Sequence, residues 1–305
     1  MSPDMPATTL ADWLTAKYPT AKRTTLRRWV AGGRVKVNGR RVDRFNRPLL
    51  PTDAVAIDER PDSIRPVSAG GDRPDRLPFR IVFEDADLLV AHKPAGLLTS
   101  TVPNEKRPTL LAAVREHVAA ADKRARVGLI HRLDRDAAGL LVFTKTDAAY
   151  HALKTQFFHH DVERMYHAVC RGRPTPGSGR IESHLVERAD GYVYAADEPG
   201  RGQVAISEYE TVRVNEPYSL VRVKLHTGRK HQIRVHLRAS GAPIVGDSVY
   251  GHAGDAPLHP RLLLVATRLG FTHPTTGKPI AFELPLPDDM EKLVPGPVPI
   301  HPPPR

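Results

Sequence analysis

The sequence is short of several things, and each shortage excludes a class of protein. It holds one cysteine, Cys170, in 305 residues. A single thiol makes no internal disulfide and no cysteine-based zinc site, so a reducing compartment is expected. Aromatic residues are only 6% of the chain, which leaves the core to aliphatic side chains. Apolar runs such as Leu262-Leu263-Leu264-Val265-Ala266 are far too short to cross a bilayer. The first ten residues carry Asp4 and no apolar segment, so no secretory leader is expected. Acid is scarce relative to base: 34 Asp and Glu face 45 Lys and Arg, a net charge of +11. The expectation is a soluble cytoplasmic protein with a polyanionic partner, nucleic acid first.

Several reaction motifs are missing as well. Gly200-Arg201-Gly202 lacks the third glycine of a dinucleotide loop, and there is no Walker-type Gly-Lys-Ser/Thr and no Gly-x-Ser-x-Gly elbow. His226, His231 and His236 recur every five residues, a spacing that does not hold them on one helical face. His159-His160-Asp161 has no partners at zinc spacing. No metal site is expected.

What is present is unevenly spread. Residues 1–60 hold 12 Lys and Arg against 6 Asp and Glu, more than half the excess charge in about a fifth of the chain. Leu10, Trp13 and Leu14 share one helical face, and Leu26, Trp29 and Val30 repeat the spacing. Arg34-Val35-Lys36-Val37 alternates as a strand, and Asn38-Gly39 supplies the two left-handed residues of a tight hairpin turn. Two helices therefore lead into a hairpin, with Arg27, Arg28 and Lys36 as candidate RNA contacts. A linker follows over 61–78, marked by Pro61, Pro66, Pro74 and Pro78 around Gly70-Gly71. A larger domain is expected over 79–290, and a proline-rich tail over 291–305.

Three patches of the larger domain carry possible chemistry. In His131-Arg132-Leu133-Asp134-Arg135-Asp136, charge stops abruptly at Ala137 and an apolar run begins, as in a loop feeding a buried strand. An isolated Asp there would ordinarily pair with Arg132 or Arg135. Thr146-Asp147 offers a cap to a helix with Ala149, Leu153 and Phe157 on one stripe. Arg164-Met165-Tyr166-His167-Ala168 alternates as a strand, with Arg164, Tyr166 and Ala168 on one side. From Val221 a strand runs to Thr227-Gly228, and a helix follows in which Ile233 and Leu237 form one stripe and Lys230, Arg234 and Arg238 another. The plain reading of the second stripe is an exposed basic face; the sharper one puts Arg234 beside a catalytic carboxylate.

These residues, in this order, resemble a known family. His131-Arg132-Leu133-Asp134 with Gly139-Leu140-Leu141, then Arg164-Met165-Tyr166, then Thr227-Gly228-Arg229-Lys230-His231-Gln232-Ile233-Arg234 are similar to the motifs of RluA/RluD-type pseudouridine synthases. Phe83 to Gly96, with Lys93-Pro94, and Gly246-Asp247-Ser248-Val249-Tyr250-Gly251 match further motifs. The front segment, Arg27 to Gly39 with Asp53-Ala54-Val55, resembles the small RNA-binding domain of a ribosomal small-subunit protein and of tyrosyl-tRNA synthetases. Departures are Ala137-Ala138 where the family has Thr-Ser, Arg164 where Lys is commoner, Val265 in place of a histidine, and His92 in place of Asn.

The resemblance implies an α+β fold: a mixed, mainly antiparallel β-sheet core flanked by helices and crossed by a cleft, with a small N-terminal α/β RNA-binding domain. It implies isomerisation of uridine in RNA to pseudouridine, which adds and removes nothing and so asks for no cofactor. It also implies a catalytic aspartate at Asp134, Tyr166 against the base, Arg234 beside the aspartate, and Arg132, Arg229 and Lys93 as substrate contacts. Ribosomal RNA of the large subunit comes ahead of transfer RNA, and a monomer is expected. A silent RNA-binding protein on the same scaffold is the alternative.

Overall fold

The computed structural model describes residues 9–19, 23–31, 35–42, 44–57, 77–101, 107–196, 200–251 and 259–297. The chain separates into two compact units, Met1–Arg65 and Pro66–Arg305. Most of the expected linker (61–76) and the end of the expected tail (298–305) lie outside the described residues.

The front unit contains α1 (Leu10–Lys17), α2 (Arg23–Ala31), β1 (Val35–Val37), β2 (Arg40–Arg41) and β3 (Val55–Ile57), with β1 central in an antiparallel sheet. Thr9 and Asp12 cap α1 reciprocally: the Thr9 hydroxyl accepts from the Asp12 N–H, and the Asp12 carboxylate accepts from the Thr9 N–H. Leu10, Leu14, Leu26, Val30, Val35 and Val37 close the core. Asn38 (φ 53°) and Gly39 (φ 77°) make the turn. The Asn38 amide also donates to Asp53 at 2.7 Å and accepts from the Ala54 N–H at 2.8 Å, which ties the hairpin to the approach of β3. Arg27 is exposed and lies 5.4 Å from the Phe45 ring centroid. Lys36 is half-buried at the middle of β1. The Arg28 side chain lies outside the described residues.

The second unit runs β4 (Arg80–Glu84), β5 (Leu88–Lys93), α3 (Leu110–Ala121), β6 (Gly128–Leu129), β7 (Ala138–Thr144), α4 (Asp147–Phe158), β8 (Glu163–Arg171), β9 (Ser178–Glu187), β10 (Val193–Ala195), β11 (Gln203–Asn215), β12 (Tyr218–Leu225), α5 (Gln232–Ala239), β13 (Leu264–Thr272), β14 (Pro279–Glu283) and α6 (Asp288–Leu293). The strands form one sheet in the order β10-β9-β11-β12-β8-β13-β7-β5-β4, with β14 on β13 and β6 on β7. Every pairing is antiparallel except β7 with β13. The expected mixed, mainly antiparallel α+β architecture is the one observed.

The parallel seam explains a sequence feature. All seven residues of β7 are buried, as the unbroken apolar run requires of a strand covered on both faces. Gly139 (φ +121°) faces Ala266 across the seam, and a Cβ there would lie 2.3 Å from the Ala266 carbonyl oxygen. Only glycine lets the two backbones approach. Helix α3 buries Leu110, Val114 and Val118 against the sheet, and α4 starts at Thr146, whose hydroxyl accepts from the Ala149 N–H.

The body runs past residue 290, where a tail was expected. Met290 and Val294 are fully buried in the main core, and Arg213 grips Glu291. A six-residue helix opening on Asp288-Asp289 shows too little apolar periodicity to be read from sequence. At another corner, Asp85, Asp87 and His273 come together with their ligand atoms within 4.8 Å of one another. Their bonds are already committed: His273 to Asp85, Asp87 to Thr275, and Asp85 to the N–H groups of Asp87 and Leu88. The cluster ties the turn after β13 to the turn before β5.

Candidate active site

A pocket of about 490 Å³ opens in the second unit, within the range of small-ligand and nucleotide sites. Its walls come from the loop before β7, from α4, from β8 and from the segment leading into α5. Arg132, Arg164, Arg229, Lys230 and Arg234 line it against one carboxylate, Asp134. Such a balance draws in a polyanion.

Asp134 is held by its neighbours on either side. Leu133 exchanges hydrogen bonds with Thr99, whose hydroxyl donates to the Leu133 carbonyl at 2.8 Å and accepts from its N–H at 3.3 Å. The Arg135 carbonyl accepts from the Gly96 N–H and from Lys93 Nζ, at 2.9 and 2.8 Å. Further back, His131 Nε2 accepts from the Val142 N–H at 3.1 Å while its ring stacks on Phe157. Burial, reinforced by the Arg164 charge, lowers the His131 pKa to about 3, so the ring is neutral.

Lys93 therefore corrects an expectation. It does not reach the pocket as a substrate contact; it is fully buried, and Nζ donates to the carbonyls of Pro94, Leu97 and Arg135. Burial brings its pKa down to about 8, against the opposing pull of Asp136 and Asp134. Three carbonyls from two segments make it a brace for the Asp134 loop. Thr99 was not singled out in the sequence; a lone Thr after Leu97-Leu98 gives no signal.

On β8, Arg164 and Tyr166 point to the pocket side by side. Burial raises the Tyr166 pKa to about 12, with Arg164 pulling down and Asp134 pushing up, so the hydroxyl keeps its proton at neutral pH.

The helix α5 carries Arg234. Its entry is locked by Gln232, whose Oε1 accepts from Thr227 Oγ1 (2.8 Å) and the Arg229 N–H (3.0 Å) and whose amide donates to Ile206 O and Ser207 Oγ. His231 precedes it in a left-handed conformation, φ 54°. His236 sits between the hydroxyls of Ser183 and Ser207, and burial lowers its pKa to about 4. The polar residues of this motif thus serve mostly to seat the helix. The expected basic stripe is not a single face: Lys230 precedes α5 and pairs with Glu187, Arg238 donates to the Tyr250 carbonyl, and Arg234 is buried.

Arg234 meets two carboxylates. Nη1 lies 3.5 Å from Asp134 Oδ2, and Nε and Nη2 each donate to Asp247 at 2.7 Å. Asp247 also accepts from the N–H groups of Val249 and Tyr250. Burial opposes its ionisation, but Arg234 and these N–H groups outweigh burial and hold it below the ordinary carboxylate range. Its partnership with Arg234 was not foreseen from the Gly246-Asp247 motif. Arg132 and Arg229 are exposed at the pocket rim, with Arg229 Nε donating to the Val204 carbonyl.

The arrangement is a basic pocket closed around a single carboxylate. Residues 87–239 match the RNA pseudouridylate synthase family, and residues 9–55 match the S4 domain. The ribosomal large subunit pseudouridine synthase D of Zymomonas mobilis is 37% identical over 234 residues, 72% of this chain and 73% of the relative. The chain belongs to the RNA pseudouridylate synthase family. It is thus an isomerase with RNA as its substrate. A synthase of the same name from Pseudomonas aeruginosa is 35% identical, covering 90% of this chain and 87% of its own. The solved structure of Human RNA Pseudouridylate Synthase Domain Containing 4 shares the fold, with TM-score 0.58 and 23% identity over 69% of this chain and 89% of that one. Among the described residues, no helix of this synthase is long and apolar enough to cross a membrane.

Proposed function

We propose that the enzyme isomerises specific uridines of large-subunit ribosomal RNA, with Asp134 as the catalytic carboxylate. The observation that carries this reading is the convergence of Asp134, Tyr166 and Arg234 on one pocket, from three separate segments of chain. The ribosomal substrate rests on the names of the relatives.

A uridine stacked in a helix is out of reach, so the base enters the pocket flipped or already unpaired. Asp134 then attacks C1′ or removes the C2′ proton, and the N1–C1′ bond breaks. The freed base turns and C5 bonds to C1′, as the Asp134 oxygen leaves C1′ or C2′ takes its proton back; the C5 proton is then lost and N1 gains one. Tyr166 supplies a flat face for the base throughout, and its protonated hydroxyl is a donor at the C5 edge. Arg234 fixes the carboxylate. Arg132 and Arg229, exposed at the rim, hold the RNA strand on either side.

Arg27, Arg28 and Lys36 of the front unit add phosphate contacts, so affinity falls with salt. A two-domain organisation, with the RNA-binding part over 1–60 and the catalytic part from 79, fits this division of labour. The enzyme acts as a cytoplasmic monomer, where ribosomal RNA is made.

Pseudouridine mapping of total RNA from cells with and without the protein tests the reading, with Asp134→Asn as the rescue control. Loss of one or a few large-subunit sites, restored by wild type alone, is the expected result. Persistence of every site in cells free of redundant synthases would favour a silent RNA-binding protein.

A further inference from the structure

Arg164 has no place in the chemistry described so far, yet it is the most unusual cation in the pocket. It is 8% exposed. Among the described residues no carboxylate pairs with it. Glu163, next to it in sequence, points elsewhere and holds Arg268 at 3.0 Å. Arg234 takes both nearby acids, Asp134 and Asp247. His131, the other titratable ring against this corner, is neutral.

Among the described residues the guanidinium makes one hydrogen bond, from Nη2 to the His226 carbonyl at 3.2 Å, and its buried Nε has no partner. It lies over the Phe157 ring at 5.5 Å. Gly228 leaves room for it: a Cβ there would stand 2.8 Å from Nη1. A buried cation with no counter-charge and an unused donor is expensive to keep. It is retained where an anion or a developing charge arrives during function.

We propose that Arg164 is a catalytic residue that takes up the negative charge appearing on the uracil when the N1–C1′ bond breaks. The inference rests on the isomerisation proposed above. It does not depend on the role of Asp134. If Asp134 attacks, its oxygen bonds to C1′ as the N1–C1′ electron pair leaves with the base. If Asp134 removes the C2′ proton, a C1′–C2′ double bond forms and the same pair leaves with the base. Either way the detached uracil is an anion, its charge spread over N1 and the two carbonyl oxygens.

The charge disappears again as C5 bonds to C1′: the bond from the Asp134 oxygen to C1′ breaks in the first case, and C2′ takes its proton back in the second. The C5 proton is then lost and N1 is protonated. Arg164 shares a face of β8 with Tyr166 and lines the same pocket. A base resting on Tyr166 therefore has the Arg164 guanidinium beside it, and among the described residues its Nη1 makes no hydrogen bond. The guanidinium is in place before the charge develops and needs no reorganisation when it does.

The test is single-turnover pseudouridine formation with the full-length enzyme in excess over unmodified large-subunit ribosomal RNA transcript. Arg164→Met and Arg164→Lys are compared with wild type. RNA affinity is measured in parallel across a range of salt, and thermal melting checks folding. The expected result is a rate about 100-fold lower in Arg164→Met, with RNA affinity and its salt slope unchanged, and most of the rate restored in Arg164→Lys. If Arg164→Met does not fold, Arg164→Gln is read by the same criteria.

Three outcomes overturn the proposal. One is an unchanged rate. Another is a loss confined to affinity with a salt slope shallower by about 0.7, the mark of a lost phosphate contact. The third is equal slowing of the Met and Lys variants with matching losses in melting temperature. If wild type makes no pseudouridine on any transcript, the proposed function falls and this inference with it. If wild type is active and Arg164→Met matches it, only this inference falls.

Discussion

Arg234 gives its two best hydrogen bonds to Asp247, each at 2.7 Å, and reaches Asp134 only with Nη1, at 3.5 Å. The cation beside the Asp134 carboxylate is anchored from behind. Asp247 fixes the guanidinium plane, and Asp134 meets an edge that is already in place. The side chain of Asp247 is wholly buried, so this is an interior pair whose disruption is costly.

Asp247→Asn is expected to lower stability by about 3 kcal/mol, because it leaves Arg234 buried with weakened compensation. Pseudouridine formation falls with it, since Arg234 is then free to swing onto Asp134. Chemical denaturation and single-turnover kinetics measure both effects. Full activity in a normally stable Asp247→Asn protein would show that Asp134 needs no such backing.

Lys93→Met should remove a brace and leave RNA contacts alone. Three carbonyl oxygens lose the Lys93 donor, with Arg135 alone keeping a second one, from Gly96, among the described residues, at a cost of about 2–4 kcal/mol, and the rate at saturating RNA falls as the Asp134 loop loosens. The salt slope of RNA binding stays at the wild-type value. A shallower slope would return Lys93 to the list of phosphate contacts.

Tyr166→Phe keeps the ring and removes the hydroxyl, which holds its proton up to about pH 12. A rate about 100-fold lower at unchanged RNA affinity is expected, because the detached base loses a hydroxyl donor. Tyr166→Ala should lose affinity as well, through the missing ring face. A wild-type rate in Tyr166→Phe would leave stacking as the residue's whole contribution.

Stability should depend on pH through three neutral histidines. Burial lowers His131 to about 3, and lowers His92 and His236 to about 4, from 6.5. The Arg80 charge adds to the effect at His92. The unfolded chain takes up these protons near pH 6.5 and the folded one resists until near pH 4. Their contribution is complete above pH 6.5 and is lost as pH falls through that window. Melting temperature should be level from pH 7 to 8 and decline steadily below pH 6. A flat profile down to pH 4.5 would contradict the neutral state of these rings.

Gly139→Ala should be poorly tolerated. A methyl group at φ +121° would press on the backbone of Ala266. Strain and overpacking together cost about 3 kcal/mol or more. Thermal melting and yield of folded protein measure it.

Local chemistry was legible in the sequence, and distant pairing was not. Asn38-Gly39 announced its turn because positive φ is a property of those two residues. Thr146 announced its helix cap in the same way. Asp134, Tyr166 and Arg234 were readable as a set only through their resemblance to a family, since nothing in their spacing says that three segments meet. Lys93 is expected as a substrate contact only through the family resemblance, and its sequence neighbours do not say where its side chain goes. Its burial depends on carbonyls from Leu97 and Arg135, which no local pattern reports. Asp247 carried a faint signal, an acid placed to accept from the N–H groups of Val249 and Tyr250. That it also holds Arg234 is a fact of tertiary packing.

The seam between β7 and β13 has a consequence for how the enzyme comes into being. Strand β13, near the end of the chain, inserts between β8, which bears Tyr166, and β7, which follows Asp134. Until it does, the two halves of the sheet have no lateral bond to each other. A contact between segments so far apart in sequence is slow to form. The pocket side chains Asp134 and Tyr166 are thus held on one sheet by a strand that carries neither of them.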